Sequence, residues 1–130
     1  MTEAIKAVLA LGTGGVAVTL GAGGCLIQNH DSLTPVALPA LHVDVVDTTG
    51  CGDGFNAGML AGLLLGAAPV DAAWLGLACG SLVATGLGSD AGIRDFGQVL
   101  DFLSRSQPAP AARIAAAARI KEQAHEHARG

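Results

Sequence analysis

The sequence predicts an α/β fold in which helices pack on a sheet. Three short apolar runs, at 15–20, 25–28 and 43–46, precede two apolar segments of helical length. Glycines cluster at the ends of these runs, where a chain turns. One helix, then strands, then helices is an element order typical of an α/β or α+β layer.

The first 20 residues predict a helix followed by a strand. Residues 2–11 have apolar side chains at helical spacing, which indicates a short amphipathic helix with Thr2 as its N-cap and Gly12 as its C-cap. The run GVAVTL at 15–20 is short and rich in β-branched residues, which is typical of a buried parallel strand.

The region from residue 25 to residue 46 predicts further strands. Residues 25–28 form the next apolar run. Pro35 and Pro39 favour a loop or an edge hairpin over residues 29–40. The run VDVV at 43–46 then predicts a strand that leads into a glycine-rich segment.

The second half of the chain predicts helices. Residues 53–65 are small and apolar nearly all round, as in a helix buried in the middle of a protein, and Gly66 ends the run. Pro69 suits the first turn of a second helix that reaches about Thr85. A glycine-rich loop, GLGSDAG, follows at 86–92.

The C-terminal region predicts a short surface helix and a tail. Asp95 is a suitable N-cap for the helix. Pro108 and Pro110 indicate a linker, and the alanine-rich tail beyond them favours an exposed or frayed helix. The sequence thus predicts a principal part at 1–104 and a linker with a helical or disordered tail at 105–130.

Composition limits the class of protein. A chain of 130 residues suits one domain, and a content of 51% hydrophobic but 3% aromatic residues predicts a core of Ala, Leu, Val and Gly. No apolar run reaches the roughly 18 residues of a membrane span. The N-terminus lacks the basic stretch of a secretory leader. We therefore expect a cytoplasmic protein with no membrane partner.

Charge and cysteine content argue against other classes. Residues 1–104 hold two basic and nine acidic side chains, whereas residues 105–130 hold five basic and two acidic ones. An acidic principal part does not favour nucleic acid as a partner. Cys25, Cys51 and Cys79 form no C-x-x-C pair, so we expect buried free thiols and neither disulfides nor a structural zinc site.

The segment DTTGCGDGF at 47–55 carries the candidate chemistry, between a predicted strand and a predicted buried helix. Backbone N–H groups of Gly50, Cys51 and Gly52 would lie unpaired at the positive end of the helix dipole, which creates an anion hole. Asp53 beside the hole could take a proton from a hydroxyl while the hole stabilises a transferring group. Alternatively, Asp53 is a plain N-cap and the glycines form a tight turn.

Three motifs together resemble the ribokinase-like (PfkB) family of carbohydrate kinases. DTTGCGDGFNAG closely resembles the family's C-terminal signature D-T-x-G-A-G-D-x-F-x-A-G, with Cys51 at the usual alanine. Upstream, GVAVTLGAGGCLI resembles the nucleotide-binding strand and turn; downstream, SLVATGLGSDAG resembles the loop after the nucleotide-flanking helix. The resemblance covers roughly residues 5–104. It implies the C-terminal part of a ribokinase-like three-layer α/β/α sandwich.

The resemblance implies ATP-dependent phosphoryl transfer to a hydroxyl of a sugar, nucleoside or related small molecule, with Mg²⁺ accompanying the nucleotide. Asp53 would be the base, and the backbone of residues 50–53 would hold the transferred phosphoryl group. The implied nucleotide contacts are Thr19, Leu20, Gly21, Ala22, Gly23 and Gly24, together with Gly52 and Asp53. A monovalent cation, typically potassium, would fall on Asp47, Thr49, Val83, Gly86, Gly88 and Gly92.

The resemblance is partial, because the family's N-terminal part has no counterpart here. That part usually supplies most of the sheet and the sugar-binding residues. Two hypotheses follow. The chain is the C-terminal part of a sugar kinase and lacks the acceptor site, or it is a truncated, non-catalytic nucleotide-binding or association module. A homo-oligomer, or pairing with the missing N-terminal part through an open sheet edge, would then supply its protein partner.

Overall fold

The computed structural model describes residues 1–129, which divide into two units. The first is Met1–Ala40 and the second begins at Leu41. Strands occur in the first unit, and the second is built from helices. None of the helices within residues 1–129 is both long enough and apolar enough to cross a membrane.

The first unit consists of one helix and a three-stranded sheet. Its elements are α1 (Thr2–Leu9), β1 (Gly15–Thr19), a short 3₁₀ turn (Gly21–Gly23), β2 (Cys25–Asn29) and β3 (Val36–Leu38). The predicted helix is confirmed, but Thr2 is not its N-cap, because the helix already begins there and Met1 precedes it without a side-chain cap. The predicted C-cap at Gly12 is wrong as well, because α1 ends at Leu9 and Ala10 is its C-cap. Gly12, with φ +90°, ends the turn that follows, and its N–H donates to the Leu9 carbonyl at 3.0 Å.

The sheet is antiparallel throughout, in the order β1-β2-β3. The prediction of a buried parallel strand at 15–20 is therefore wrong, and β1 is only half-buried. The physical reason is the short connection, since residues 20–24 cannot carry the crossover of a dozen or so residues that parallel pairing requires. The edge hairpin over 29–40 is confirmed by β3, which pairs with β2.

The described part of the second unit, residues 41–129, contains four helices. They are α2 (Cys51–Leu64), α3 (Pro69–Val83), α4 (Phe96–Ser106) and α5 (Pro108–Arg129). The predicted strand at 43–46 is wrong, because no strand of the described residues pairs with it. The N–H groups of Val46 and Asp47 donate instead to the Ala84 carbonyl, at 2.7 and 3.3 Å.

Glycines allow close packing between the backbones of α2 and α3. Gly54, Gly58 and Gly62 recur every fourth residue and lie on one buried face of α2. A Cβ at Gly58 would lie 2.7 Å from the Leu75 carbonyl oxygen, and one at Gly62 would lie 2.8 Å from Ala72 Cα. Helix α3 is accordingly buried along nearly its whole length.

Helix α5 begins at Pro108, so the predicted linker at Pro108 and Pro110 is wrong. Prolines are tolerated in a first turn because the N–H groups there have no partner inside the helix. Ala111 and Ile114 are buried, whereas residues 119–129 are exposed, as the composition predicts for the tail.

A partly buried ion pair ties α5 to α3. Arg113 donates from Nε to Asp71 Oδ2 and from Nη2 to Asp71 Oδ1, both at 2.8 Å. The Asp71 side chain is buried, while the Arg113 side chain remains largely exposed. These hydrogen bonds raise the pKa of the Arg113 guanidinium.

We expect Arg113→Ala to lower the thermal unfolding midpoint by a few degrees, because it leaves the Asp71 carboxylate buried without a partner. Differential scanning fluorimetry measures this shift. Arg119→Ala is the matched control, since Arg119 is an exposed arginine of the same helix that pairs with no acidic side chain in residues 1–129. Equal midpoints for the two variants would show that the ion pair does not stabilise the fold.

Candidate functional site

Asp47 begins a tight turn that leads into α2. Its Oδ1 atom accepts hydrogen bonds from the Thr49 N–H at 2.9 Å and from the Thr49 hydroxyl at 2.8 Å. The Cys51 N–H donates to the Thr48 carbonyl at 3.2 Å and closes the turn. The turn forms here because an Asp side chain readily bonds to the backbone two residues further on.

Gly50 is the N-cap of α2 and adopts the left-handed conformation, with φ +80°. A Cβ atom at this position would lie 2.5 Å from Ser89 Cα and 2.6 Å from the Ser89 carbonyl oxygen. Glycine satisfies both the conformation and the close approach. The turn before α2 and the 86–92 loop therefore touch at this residue, and the sequence motif gave no sign of the Ser89 contact.

Three backbone N–H groups at the start of α2 have no hydrogen-bond partner within residues 1–129. They belong to Gly50, Gly52 and Asp53. The prediction of three free amides at 50–52 is therefore corrected at Cys51, whose N–H is used in the turn. The helix dipole adds partial positive charge, and a Cβ at Gly52 would meet no atom within 4 Å. This end of α2 can accommodate an anion.

Asp53 is exposed at the third residue of α2. Its carboxylate makes no hydrogen bond to another group of the described residues, and the N-cap position is occupied by Gly50. The alternative interpretation of Asp53 as a plain N-cap is therefore wrong. An exposed, unengaged carboxylate beside free amides remains available to accept a proton from a bound hydroxyl.

The GLGSDAG loop is hydrogen-bonded to the turn through Asp47. The Gly88 N–H donates to Asp47 Oδ2 at 3.4 Å, while Asp47 Oδ1 is engaged by Thr49. Three of the residues implied for a monovalent cation, Asp47, Thr49 and Gly88, are thus brought together. Asp47 Oδ2 has only this one long hydrogen bond, so it retains acceptor capacity for a cation.

Of the other three residues implied for the cation, Gly86 and Gly92 lie at the two ends of the loop and Val83 is the last residue of α3. A Cβ at Gly86 would lie 3.8 Å from the Gly92 nitrogen, so these two glycines are close. The Val83 side chain is buried, and its carbonyl accepts the Gly86 N–H at 3.4 Å. Only main-chain oxygens of these residues can serve a cation, and such oxygens suit a hard ion.

The Gln98 side chain forms hydrogen bonds at the C-terminal end of the 86–92 loop. This residue was not identified from the sequence. Its Nε2 donates to the Gly92 carbonyl at 2.9 Å, and its Oε1 accepts from the Arg94 N–H at 2.7 Å. Asp95 caps α4 by accepting the Gln98 N–H at 2.8 Å, which confirms the predicted N-cap. The D-x-x-Q spacing of a capping box was the available signal for Gln98.

Six of the residues implied for the nucleotide, at 19–24, lie in the first unit, at the end of β1 and in the turn that joins it to β2, whereas the other two, Gly52 and Asp53, lie in α2 of the second unit. The Leu20 N–H donates to the Gly24 carbonyl at 2.8 Å, and the Gly23 N–H donates to the Leu20 carbonyl at 3.0 Å. Gly24 has φ +87°, and a Cβ there would collide with the Leu38 carbonyl. The exposed part of the turn comprises Thr19, Leu20, Gly21, Ala22 and Gly23.

The cysteines are free, as predicted, but they are not equally buried. Burial raises the pKa of Cys25 to about 11 and also raises the pKa of Cys79. Cys51 is only half-buried; partial burial and then the negative charge of Asp47 raise the pKa of its thiol. These thiols are protonated at neutral pH, so none of them is a ready nucleophile.

Hydrogen bonds favour the ionised form of Asp47. The Thr49 N–H, the Thr49 hydroxyl and the Gly88 N–H, in that order, lower the pKa of the Asp47 carboxyl. Because the pKa is lower in the folded state, the stabilisation is fully present above the unfolded-state value of about 4 and is lost as pH falls through the folded-state pKa.

We expect Thr49→Val to raise the Asp47 titration midpoint, because it removes the hydroxyl donor and leaves the N–H in place. A carboxyl carbon NMR titration measures the midpoint. Thr48→Val is the matched control, since the Thr48 hydroxyl makes no hydrogen bond within residues 1–129. A midpoint that stays the same in Thr49→Val would exclude the hydroxyl as a cause of the low pKa.

A groove of about 700 Å³ lies at the opposite, C-terminal end of α2. It is lined by Leu64, Leu65 and Phe96 and by the charged second half of α5, including Lys121 and Glu122. None of the sequence-predicted site residues lines this groove. The groove is therefore separate from the candidate phosphoryl-transfer site at the start of α2.

Known proteins that match this chain include sugar kinases. An uncharacterised sugar kinase of Archaeoglobus fulgidus is 51% identical over 51 residues, which is 39% of this chain and 20% of that protein. The crystal structure of Thermotoga maritima ribokinase matches with a TM-score of 0.72 and 33% identity, over 79% of this chain and 34% of the ribokinase.

A third match is Salmonella enterica aminoimidazole riboside kinase, crystallised with aminoimidazole riboside and an ATP analogue. It has a TM-score of 0.69 and 32% identity, and the match covers 78% of this chain and 35% of that kinase. The chain thus spans about a third of these solved structures, and their ribokinase fold confirms the α/β fold class. Residues 1–95 match the pfkB family of carbohydrate kinases. The chain therefore belongs to the pfkB carbohydrate kinase family.

Proposed function

We propose that the chain supplies the nucleotide-binding and catalytic-base part, at 1–104, of an ATP-dependent kinase. The kinase phosphorylates a hydroxyl group of a sugar or related small molecule. The observation that carries this proposal is the exposed, unengaged carboxylate of Asp53 beside the free N–H groups of Gly50 and Gly52. Membership of a carbohydrate kinase family supports it, as does the ATP analogue bound by the Salmonella relative.

In the proposed reaction Asp53 accepts the proton of the acceptor hydroxyl. The hydroxyl oxygen then forms a bond to the γ-phosphorus of ATP while the bond to the β–γ bridging oxygen breaks, and ADP leaves. Negative charge on the transferred group is stabilised by the N–H groups of Gly50 and Gly52 and by the dipole of α2. Phosphoryl transfer requires mainly such positioning and charge stabilisation from a protein.

The turn between β1 and β2 is proposed to bind the nucleotide. The backbone from Thr19 to Gly23 is exposed, so its N–H and carbonyl groups can form hydrogen bonds with a ligand. Gly24 allows this turn, because a side chain at that position would collide with the Leu38 carbonyl. Mg²⁺, when bound with ATP, neutralises phosphate charge. The carboxylate of Asp47 and the main-chain oxygens of the 86–92 loop fit a monovalent cation such as K⁺, which we propose binds there.

A non-catalytic association module is the second candidate function. Two observations favour it: the chain spans about a third of the solved kinases, and leucines of α2 are exposed. The two candidates differ in what a longer protein containing these residues does with ATP and a sugar. Of the two candidates, only the kinase transfers phosphate from ATP to the sugar.

We expect the 130-residue chain alone to phosphorylate no sugar, and a longer protein that contains it to do so. A coupled ADP-release assay over a panel of sugars and nucleosides measures both. The relatives are about twice as long, which supports an acceptor pocket built largely by other residues. Robust turnover by the isolated chain would contradict this expectation, and no turnover by the longer protein would favour the association module.

A further inference from the structure

The Gln98 side chain joins the first turn of α4 to the C-terminal end of the 86–92 loop. Its Nε2 donates to the Gly92 carbonyl at 2.9 Å, and its Oε1 accepts the Arg94 N–H at 2.7 Å. The Gln98 N–H donates to Asp95 Oδ1 at 2.8 Å, which fixes the residue at the start of the helix. The rigid end of α4 therefore sets the position of the Gly92 carbonyl group.

Gly92 lies against the C-terminal end of α3. It has φ +79°, and a Cβ there would collide with the Leu82 carbonyl oxygen and would lie 2.6 Å from Thr85 Oγ1. Glycine is needed for both the conformation and the close approach. The C-terminal end of a helix carries partial negative charge, which favours a cation. The Gly92 main chain is thus held where a cation is electrostatically stabilised.

A neutral amide suits both contacts of this side chain. Gln98 has a donor for the Gly92 carbonyl and an acceptor for the Arg94 N–H, whereas an ionised carboxylate has no donor. A carbonyl oxygen has two lone pairs, so the Gly92 oxygen keeps one for a cation after it accepts the hydrogen bond from Gln98. The contact therefore orients this oxygen and leaves it able to bind.

We infer that Gln98 is a positioning residue for the proposed monovalent cation, because it holds the Gly92 carbonyl and with it the 86–92 loop. The contact of this loop with Asp47, from the Gly88 N–H at 3.4 Å, is longer and therefore weaker. The loop thus depends on Gln98 for its geometry. This inference rests on the proposed function, which assigns the cation to Asp47 and the loop, and it adds a residue that acts through Gly92.

The test measures the thermal unfolding midpoint of the 130-residue chain while KCl replaces choline chloride at constant ionic strength. The rise of the midpoint with K⁺ concentration gives an apparent Kd for K⁺. Gln98→Met removes both hydrogen bonds, adds no charge and keeps helix propensity. We expect it to raise this Kd by about 3- to 10-fold, the usual effect of a lost hydrogen bond. If Gln98→Met does not fold, Gln98→Ala gives the same comparison.

Two control variants accompany Gln98→Met. Gln123→Met makes the same change at an exposed position of α5, where the side chain forms no hydrogen bond within residues 1–129, and should leave the Kd for K⁺ unchanged. Asp47→Asn removes the carboxylate of the proposed site and should abolish the K⁺ effect.

A lower midpoint of Gln98→Met in choline chloride with an unchanged Kd for K⁺ would overturn the inference, because Gln98 would then only stabilise α4. The absence of a K⁺ effect in the unmodified chain would overturn it too, as would an effect that survives in Asp47→Asn. The readout needs no turnover. A raised Kd in Gln98→Met, together with a longer protein that shows no kinase activity, would reject the proposed function and keep this role of Gln98. An unchanged Kd together with an active kinase would do the reverse.

Discussion

We expect Asp53→Asn to lower kcat by about 10²- to 10⁴-fold, the contribution typical of a general base, in a kinase that contains this chain. Asn has nearly the same shape as Asp but cannot accept the proton. The free N–H groups at the start of α2 are unaffected, so the Kd for ATP should stay the same. Steady-state kinetics and isothermal titration calorimetry measure the two quantities.

Asp101→Asn is the matched control for Asp53→Asn, because it makes the same chemical change at an exposed position of α4. Its kcat should equal that of the unmodified kinase. An unchanged kcat in Asp53→Asn would remove Asp53 from the role of base. Loss of ATP binding together with kcat would instead assign Asp53 to nucleotide binding.

The second large effect concerns the contact between α2 and α3. We expect Gly58→Ala to lower the free energy of unfolding by about 1–3 kcal/mol, the usual cost of overpacking. The added Cβ would lie 2.7 Å from both the Leu75 carbonyl oxygen and Cys79 Sγ, so the helices must move apart. Urea unfolding of the 130-residue chain, followed by circular dichroism, measures the change.

Gly52→Ala makes the same substitution in the same helix where no atom lies within 4 Å of the new Cβ. We expect it to raise the free energy of unfolding by up to about 1 kcal/mol, because alanine is the better helix former. If Gly58→Ala and Gly52→Ala changed the free energy of unfolding in the same direction and by the same amount, helix propensity, and not the close contact with α3, would determine the stability at both positions.

Local signals in the sequence predicted most of the helices and the N-cap of α4. Asp95 caps α4 and Pro69 lies in the first turn of α3, because both effects depend only on neighbouring residues. Helix α2 was recognised from its apolar run, but it begins at Cys51 and not at Asp53. The two-residue difference matters, because it places Asp53 inside the first turn and makes Gly50 the cap.

Contacts between distant residues could not be predicted in this way. Asp71 and Arg113 are separated by 42 positions, and nothing in either local pattern indicates the other. The contact of Gly50 with Ser89 is of the same kind. By contrast, the antiparallel pairing of β1 and β2 was predictable from the short connection between them, which outweighs the composition of β1.

The protonation state of the Cys51 thiol determines how readily the candidate site is oxidised or alkylated. Oxidants and alkylating reagents attack thiolates, and the raised pKa keeps this sulfur in the thiol form at neutral pH. The main chain of Cys51 is occupied by the turn, and its side chain has no part in the proposed transfer. A cysteine at this position is therefore compatible with the proposed role of Asp53, because the proposed phosphoryl transfer does not depend on the redox state of the Cys51 thiol.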